Sequence, residues 1–288
     1  IFGQGLLLIG DFRSQHWPLI LFLALVGLII VYLYKRFGGK ASKGMGLIFD
    51  VGHAREEKIP LVLVPLIMLT TWMSHLFGGS VGREGVAVQI GATLSHRFAR
   101  HIKIADASRI FLMTGMAAGF AGLFQTPLAA TFFALEVLTV GELQLIALYP
   151  ALIASIVASF TSHTLGLEKF AVPLRETLSW TPETLIKVTL LGLAFGLAGK
   201  LFAVSLSWLK KTVAKVLPNP YIRIAVIGAG LSLVLLTLQL TKVGSYSGLG
   251  TNLIDVAFHQ GNAQSYDWIL KLLFTVVTIS AGYQGGEV

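Results

Sequence analysis

Gly78-Gly79-Ser80-Val81-Gly82-Arg83-Glu84-Gly85-Val86-Ala87-Val88-Gln89-Ile90-Gly91 decides the reading of this chain. It sets an arginine and a glutamate among glycines, between two strongly apolar segments. An ionisable residue at membrane depth is costly and marks a functional site by default. The glycines let the backbone bend and approach a ligand closely. A helix is expected to start at about Glu84, and its first amides have no partner within it. Free N–H groups and the positive end of the helix dipole together make an anion site. The stretch therefore reads as an anion held at a broken helix, with a titratable carboxylate beside it.

The rest of the chain supplies the membrane. It has 288 residues, 55% of them apolar and only 12% charged, against about 25% charged in soluble domains. Apolar runs recur at Leu19–Tyr34, Ile59–Trp72, Leu143–Phe160, Leu185–Val204 and Ile222–Leu240. Several approach the ~20 residues that cross a bilayer. No period-two alternation in ~10-residue segments points to a β-barrel. The fold class is thus an all-α polytopic membrane protein. The net charge of +8 resides in clusters at Lys35, Arg36, Lys40 and Lys43, at Arg97, Arg100 and Lys103, and at Lys210, Lys211 and Lys215. Flanking apolar spans, these read as positive-inside loops rather than as a nucleic-acid surface. With no cysteine, disulfides, thiolate metal sites and cysteine nucleophiles are excluded. The histidines show no i, i+4 metal pairing, His75 reads as an interfacial residue, and no metal or cofactor is expected. The chain opens on Ile1 without a signal-peptide pattern and stops in glycine-rich sequence, so it reads as a fragment missing both ends.

The plan occurs twice. Pro18, an apolar span and Lys43-Gly44-Met45-Gly46-Leu47-Ile48 are matched by Pro220, an apolar span and Ser247-Gly248-Leu249-Gly250-Thr251-Asn252-Leu253-Ile254. Gly46 precedes Glu84 by 38 positions, and Gly250 precedes Glu287 by 37. Both glutamates sit in glycine-rich breaks that follow apolar segments ending near Phe77 and Ser280. Interrupted spans at matching places in two halves point to a transporter's central site. The expected organisation is a first repeat over 1–163, a polar connector over 164–182, and the start of a second, truncated repeat over 183–288. Between the breaks, Gly115-Met116-Ala117-Ala118-Gly119 forms a small-residue face for close helix packing. Pro127 suits a helix start, and Pro150 should kink a span or begin one.

Gly82-Arg83-Glu84-Gly85 with Gln89 and Gly91, then Gly115-Met116-Ala117-Ala118-Gly119 and Thr126-Pro127-Leu128-Ala129-Ala130-Thr131-Phe132-Phe133-Ala134-Leu135-Glu136, resemble in order and spacing the signature of CLC anion channels and transporters. The resemblance covers essentially the whole chain. It implies two inverted-topology repeats whose broken helices meet at mid-membrane, and a homodimer with one pathway per subunit. It also implies an integral protein of a bacterial inner membrane. Four departures are specific. Val86 stands where chloride-type members carry proline, Met45 where they carry a serine that touches the central anion, and Val137 where exchangers carry an inner proton-passing glutamate. Gly286-Glu287-Val288 replaces the usual third motif. This set resembles the fluoride-exporting branch.

The function this implies is fluoride export coupled to proton import, gated by Glu84. The alternative is a chloride/proton exchanger or a chloride channel of the same fold. Glu84 can mimic an anion when ionised and leave the path when protonated; a plain helix-capping role is the competing reading. Met45, Gly46, Arg83, Gly85, Val86, Glu287 and Val288 are the expected anion-site residues, the last two through backbone N–H groups. Arg83 either pairs with a carboxylate or steers anions. Met45 either faces the ion or fills space, as methionine does in irregular gaps. Glu136 is a proton relay or a structural hydrogen-bonding residue, with the second favoured. An intramembrane enzyme would need paired catalytic groups, and Asp50 and Asp255, which match between the repeats, lack a glycine-aspartate motif. No catalytic residue is assigned.

Overall fold

A computed structural model describes residues 1–139, 141–172, 179–241 and 246–286, without the side chain of Gln260. Its regular elements are all helical. They are α1 (Phe2–Gln15), α2 (Leu23–Leu33), α3 (Met45–Gly52), α4 (Leu63–Leu76), α5 (Glu84–Ala99), α6 (Ala107–Phe124), α7 (Pro127–Glu136), α8 (Leu148–Thr164), α9 (Pro182–Val216), α10 (Pro220–Leu240), α11 (Thr251–Asp255) and α12 (Asp267–Ala281). Irregular helical turns run from Tyr34 to Lys43 and join α2 to α3. Among the described residues, five helical stretches are long and apolar enough to cross a membrane: Trp17–Gly52, Ala107–Phe124, Leu145–Thr164, Pro182–Val216 and Pro220–Leu240.

α4 is different. Its 14 residues rise about 21 Å, short of a ~30 Å hydrocarbon core. It ends where Gly78 takes a left-handed φ of +88°, and the chain then runs through the glycine-rich break into α5. α5 starts at Glu84 and α7 at Pro127, as the sequence predicts. Pro150 falls in the first turn of α8, so it begins a helix and does not kink one. The basic cluster at Lys210, Lys211 and Lys215 is not a loop: α9 carries straight through it to Val216.

The packing repeats as the sequence does. α1 and α2 both lie on α4, α9 and α10 both lie on α12, and α2 crosses α10 between them. At that crossing the Tyr283 hydroxyl donates to the Leu23 carbonyl at 2.8 Å and abuts Gly27 and Gly228. One apolar core fills the first half, around Leu47, Ile67, Val86, Leu112 and Met116. A second joins α2 and α4 to α9, α10 and α12. α5 and α6 touch through their backbones: a Cβ on Gly91 would collide with the Gly115 carbonyl, and one on Gly119 with the Ala87 carbonyl. The small-residue face read from the sequence thus has a specific partner. Several buried hydroxyls are satisfied locally: Thr70, Ser74, Thr93 and Thr278 each donate to the carbonyl four residues earlier, as an apolar surrounding favours.

Candidate functional site at the two breaks

The two glycine-rich breaks meet. The Gly286 N–H donates to the Gly82 carbonyl at 2.8 Å and the Gly82 N–H donates to the Gly286 carbonyl at 3.3 Å, in antiparallel register. Gly82 and Gly286 stand in matching motifs, so equivalent segments of the two halves run in opposite directions, as inverted repeats require. Gly286 lies directly over the start of α5. A Cβ there would come within 3.0 Å of the amide nitrogens of Arg83, Glu84 and Gly85. Only glycine leaves those amides approachable.

The Glu84 carboxylate folds back on its own helix terminus, where Oε2 accepts from the Arg83 N–H at 2.8 Å. It occupies the position an anion would take, capping an amide and meeting the positive end of the dipole. Two cavities flank it. One, of about 300 Å³, is lined by Glu84, Arg83, Gly82, Lys271, Thr275 and Thr251. The other, of about 330 Å³, is lined by Met45, Gly46, Gly85, Gln89, Ser280 and Tyr283, with Lys43 and Arg223 on its wall. Glu84 and Gly85 are neighbours in sequence and face different cavities, so the start of α5 is the partition.

The sequence-derived residues divide between the two spaces. Met45 opens α3 after Gly44, whose φ of +56° turns the chain. It lines the second cavity and also packs against the first core, so both expected roles have a physical basis. Val86 does not line either cavity; its side chain is fully buried in the core. Arg83 is buried with its guanidinium 5.7 Å from the Phe124 ring centroid, an approach of cation–π type. No carboxylate among the described residues lies within ion-pair distance of it. Glu136 ends α7 exposed, and the favoured structural hydrogen bond is not formed among the described residues. Asp50 pairs with Lys43 at 2.9 Å and Asp255 with His259 at 2.7 Å. Glu287 and Val288 lie outside the described residues. Among those described, no group of three metal-ligating side chains occurs.

Lys271 and Ser280 escape a motif reading. Lys271 of α12 donates to Ser80 Oγ at 2.7 Å and to the Gly248 carbonyl at 2.5 Å, while Ser80 also meets Thr275 at 2.9 Å. It clasps the first break to the second half. A lone lysine inside the apolar run Trp268–Ile279 is the signal that would have found it. Gln89 and Ser280 are buried on the second cavity, each with an oxygen that has no partner. His75 is not interfacial: it is 5% exposed, because α1 and the second half close over the end of α4.

Comparison with known proteins agrees with this architecture. The family described as "Voltage gated chloride channel" matches residues 26–288. A curated "Chloride/fluoride channel protein" of Pseudomonas syringae pv. tomato is 34% identical over 282 residues, covering 96% of this chain and 62% of the relative. An "H(+)/Cl(-) exchange transporter ClcA" of Cronobacter sakazakii is 28% identical over 294 residues, covering 98% of this chain and 62% of that protein. This chain therefore spans just under two thirds of the length of these relatives. The crystal structure of a CLC-type fluoride/proton antiporter superposes with a TM-score of 0.91 at 47% identity, covering 99% of this chain and 72% of the other. With its broken helices, paired breaks and glutamate-capped α5, the chain belongs to the voltage-gated chloride channel family.

Proposed function

We propose that the protein containing this chain is a membrane transporter that exports fluoride in exchange for protons. The observation that carries the reading is the Glu84 carboxylate, seated on the α5 terminus between two cavities. Ionised, it fills the anion's place; protonated, it loses its attraction to the dipole and vacates the path. Proton and anion thus compete for one position, which is the requirement for exchange. Met45 favours fluoride over chloride, because a thioether stands at the start of α3 where a serine would offer a further hydroxyl to a larger halide. The solved antiporter at 47% identity supports the same ion. Val137, in place of an inner carboxylate, weighs against the chloride-exchanger alternative.

The anion would meet Gly46, Gly85 and the backbone of Val86 on one side of the partition and Arg83 on the other, with Glu287 and Val288 contributing backbone N–H groups. The repeats would comprise 1–163 and 183–288, joined by the polar connector 164–182. A homodimer in a bacterial inner membrane fits the family and the extensive apolar surface of α8 and α9. Transport, not catalysis, is the activity. The test is paired fluoride and chloride efflux from proteoliposomes of the full-length protein, with proton movement recorded at the same time. Proton uptake driven by a fluoride gradient, and weaker uptake with chloride, is the expected result. Fluoride efflux without proton movement would refute exchange.

A further inference from the structure

While the ionised Glu84 carboxylate caps the α5 terminus, that place is closed to any other anion. An ion that the carboxylate displaces needs a second place to stand. The cavity of about 300 Å³ beside Glu84 has two cations in its wall, Arg83 from the first break and Lys271 from α12. Cavity two, on the far side of the α5 terminus, carries Lys43 and Lys210, members of two basic clusters that mark the cytoplasmic side. The Arg83 cavity therefore faces outward. Phe170, Leu249 and Thr251 line both it and a wider cavity of about 580 Å³, so the space opens away from Glu84.

The two cations differ in what they have to offer. Arg83 is 8% exposed. A guanidinium stays charged in proteins and presents five N–H donors. Among the described residues no acceptor meets those donors, and none of the nitrogens is sealed from the cavity. The Phe124 ring, 5.7 Å away, attracts the charge but takes no N–H in a conventional hydrogen bond. A charge this buried with open donors is costly until a partner arrives, and the partner that fits is a small anion. Lys271 instead has its donors committed, to Ser80 Oγ and to the Gly248 and Tyr246 carbonyls. It gives the cavity a charge fixed in position. No carboxylate among the described residues lies within ion-pair distance of either cation.

We propose that Arg83 and Lys271 form an outer anion station, filled by fluoride while ionised Glu84 holds the α5 terminus. Arg83 supplies the N–H donors and Lys271 the fixed charge. The departing ion moves from the terminus to the station, the carboxylate returns behind it, and the ion leaves through the wider cavity. The station is separate from the position that Glu84 itself occupies, so carboxylate and ion are present together.

The inference rests on fluoride export, and its test separates the two. Full-length wild type, Arg83→Gln, Arg83→Lys and Lys271→Met are reconstituted in uniform orientation, and half-saturating fluoride is measured from each face of the membrane. In Arg83→Gln the ratio of the outer to the inner value should rise about tenfold, the size of one lost ionic hydrogen bond. It should rise less in Arg83→Lys, which keeps the charge and loses the planar fork, and should rise in Lys271→Met. The rise should persist in about 1 M of an impermeant salt, where a Debye length of ~3 Å removes long-range steering. Ratios within about twofold of wild type in Arg83→Gln and Lys271→Met would overturn the station, and so would a rise that vanishes in high salt. If Arg83→Gln does not fold, Arg83→Lys and Lys271→Met decide the matter by the same criterion. A wild type that moves chloride in preference to fluoride would remove the fluoride reading instead, and the sided ratio taken with chloride would still test the station.

Discussion

Gly82 and Gly286 bond to each other in both directions through their backbones, at 2.8 and 3.3 Å. They are 204 positions apart and occupy equivalent places in the two halves. Each break is therefore the other's hydrogen-bonding partner, and neither helix terminus is held by its own half alone. The predictions below start from this pairing.

Gly286→Ala places a methyl group within 3.0 Å of three amide nitrogens at the start of α5. Overpacking of this kind costs about 1–3 kcal/mol, and here it also covers the anion's donors. The expected outcome is a folded but less stable protein with fluoride flux reduced at least about tenfold. Flux assays beside thermal denaturation in detergent check both parts.

Glu84→Gln keeps the size of the side chain that caps the Arg83 N–H but removes its charge and its proton exchange. Proton movement driven by fluoride should vanish, and uncoupled fluoride movement should persist. Coupling of wild-type size in the variant would refute the assignment.

Met45→Ser introduces a hydroxyl into the second cavity. A hydrogen bond to an ion is worth roughly 1.5–3 kcal/mol, and ~1.4 kcal/mol is tenfold in affinity. Chloride flux relative to fluoride should rise about tenfold or more. A ratio within about twofold of wild type would make Met45 a packing residue only.

Glu56, in the loop after α3 and beyond the apolar stretch Trp17–Gly52, provides a pH prediction. Lys40 lies 2.6 Å from Glu56, and this hydrogen-bonded ammonium holds the Glu56 carboxyl below its ordinary range. A carboxyl depressed in the folded state contributes stability above its unfolded pKa and loses it as pH falls through the folded value. Glu56→Gln should therefore lower the melting temperature slightly at neutral pH. That difference should shrink as pH drops below the carboxylate range. Melting curves of both proteins across the acid limb are the measurement.

Features set by local sequence were legible. Apolar length gave the spans, glycine with a charged pair gave the break, and Pro127 gave the start of α7. The matched spacing of Gly46 to Glu84 and Gly250 to Glu287 anticipated breaks at equivalent places. Features that depend on which elements meet were not. His75 follows an apolar run and looks interfacial until α1 and the second half are seen to bury it. Val86 departs from the family pattern at the motif, yet its side chain belongs to the core. α9 is far longer than its apolar run, because lysines are good helix formers and hydropathy registers only the apolar part. Lys271 clasps Ser80 across 191 positions, a pairing that no spacing rule anticipates.

That clasp also dictates an order of assembly. Ser80 and the glycines around it emerge from the ribosome long before Lys271 exists. Until α12 enters the membrane, the Ser80 hydroxyl lacks its ammonium partner, and the first break lacks both Lys271 and Gly286. The first break is thus inserted with its central segment unfinished. It matures only when α12, made much later, arrives. Nascent chains stalled before Trp268 should accordingly expose this break to proteolysis, and chains extended beyond Gly286 should protect it.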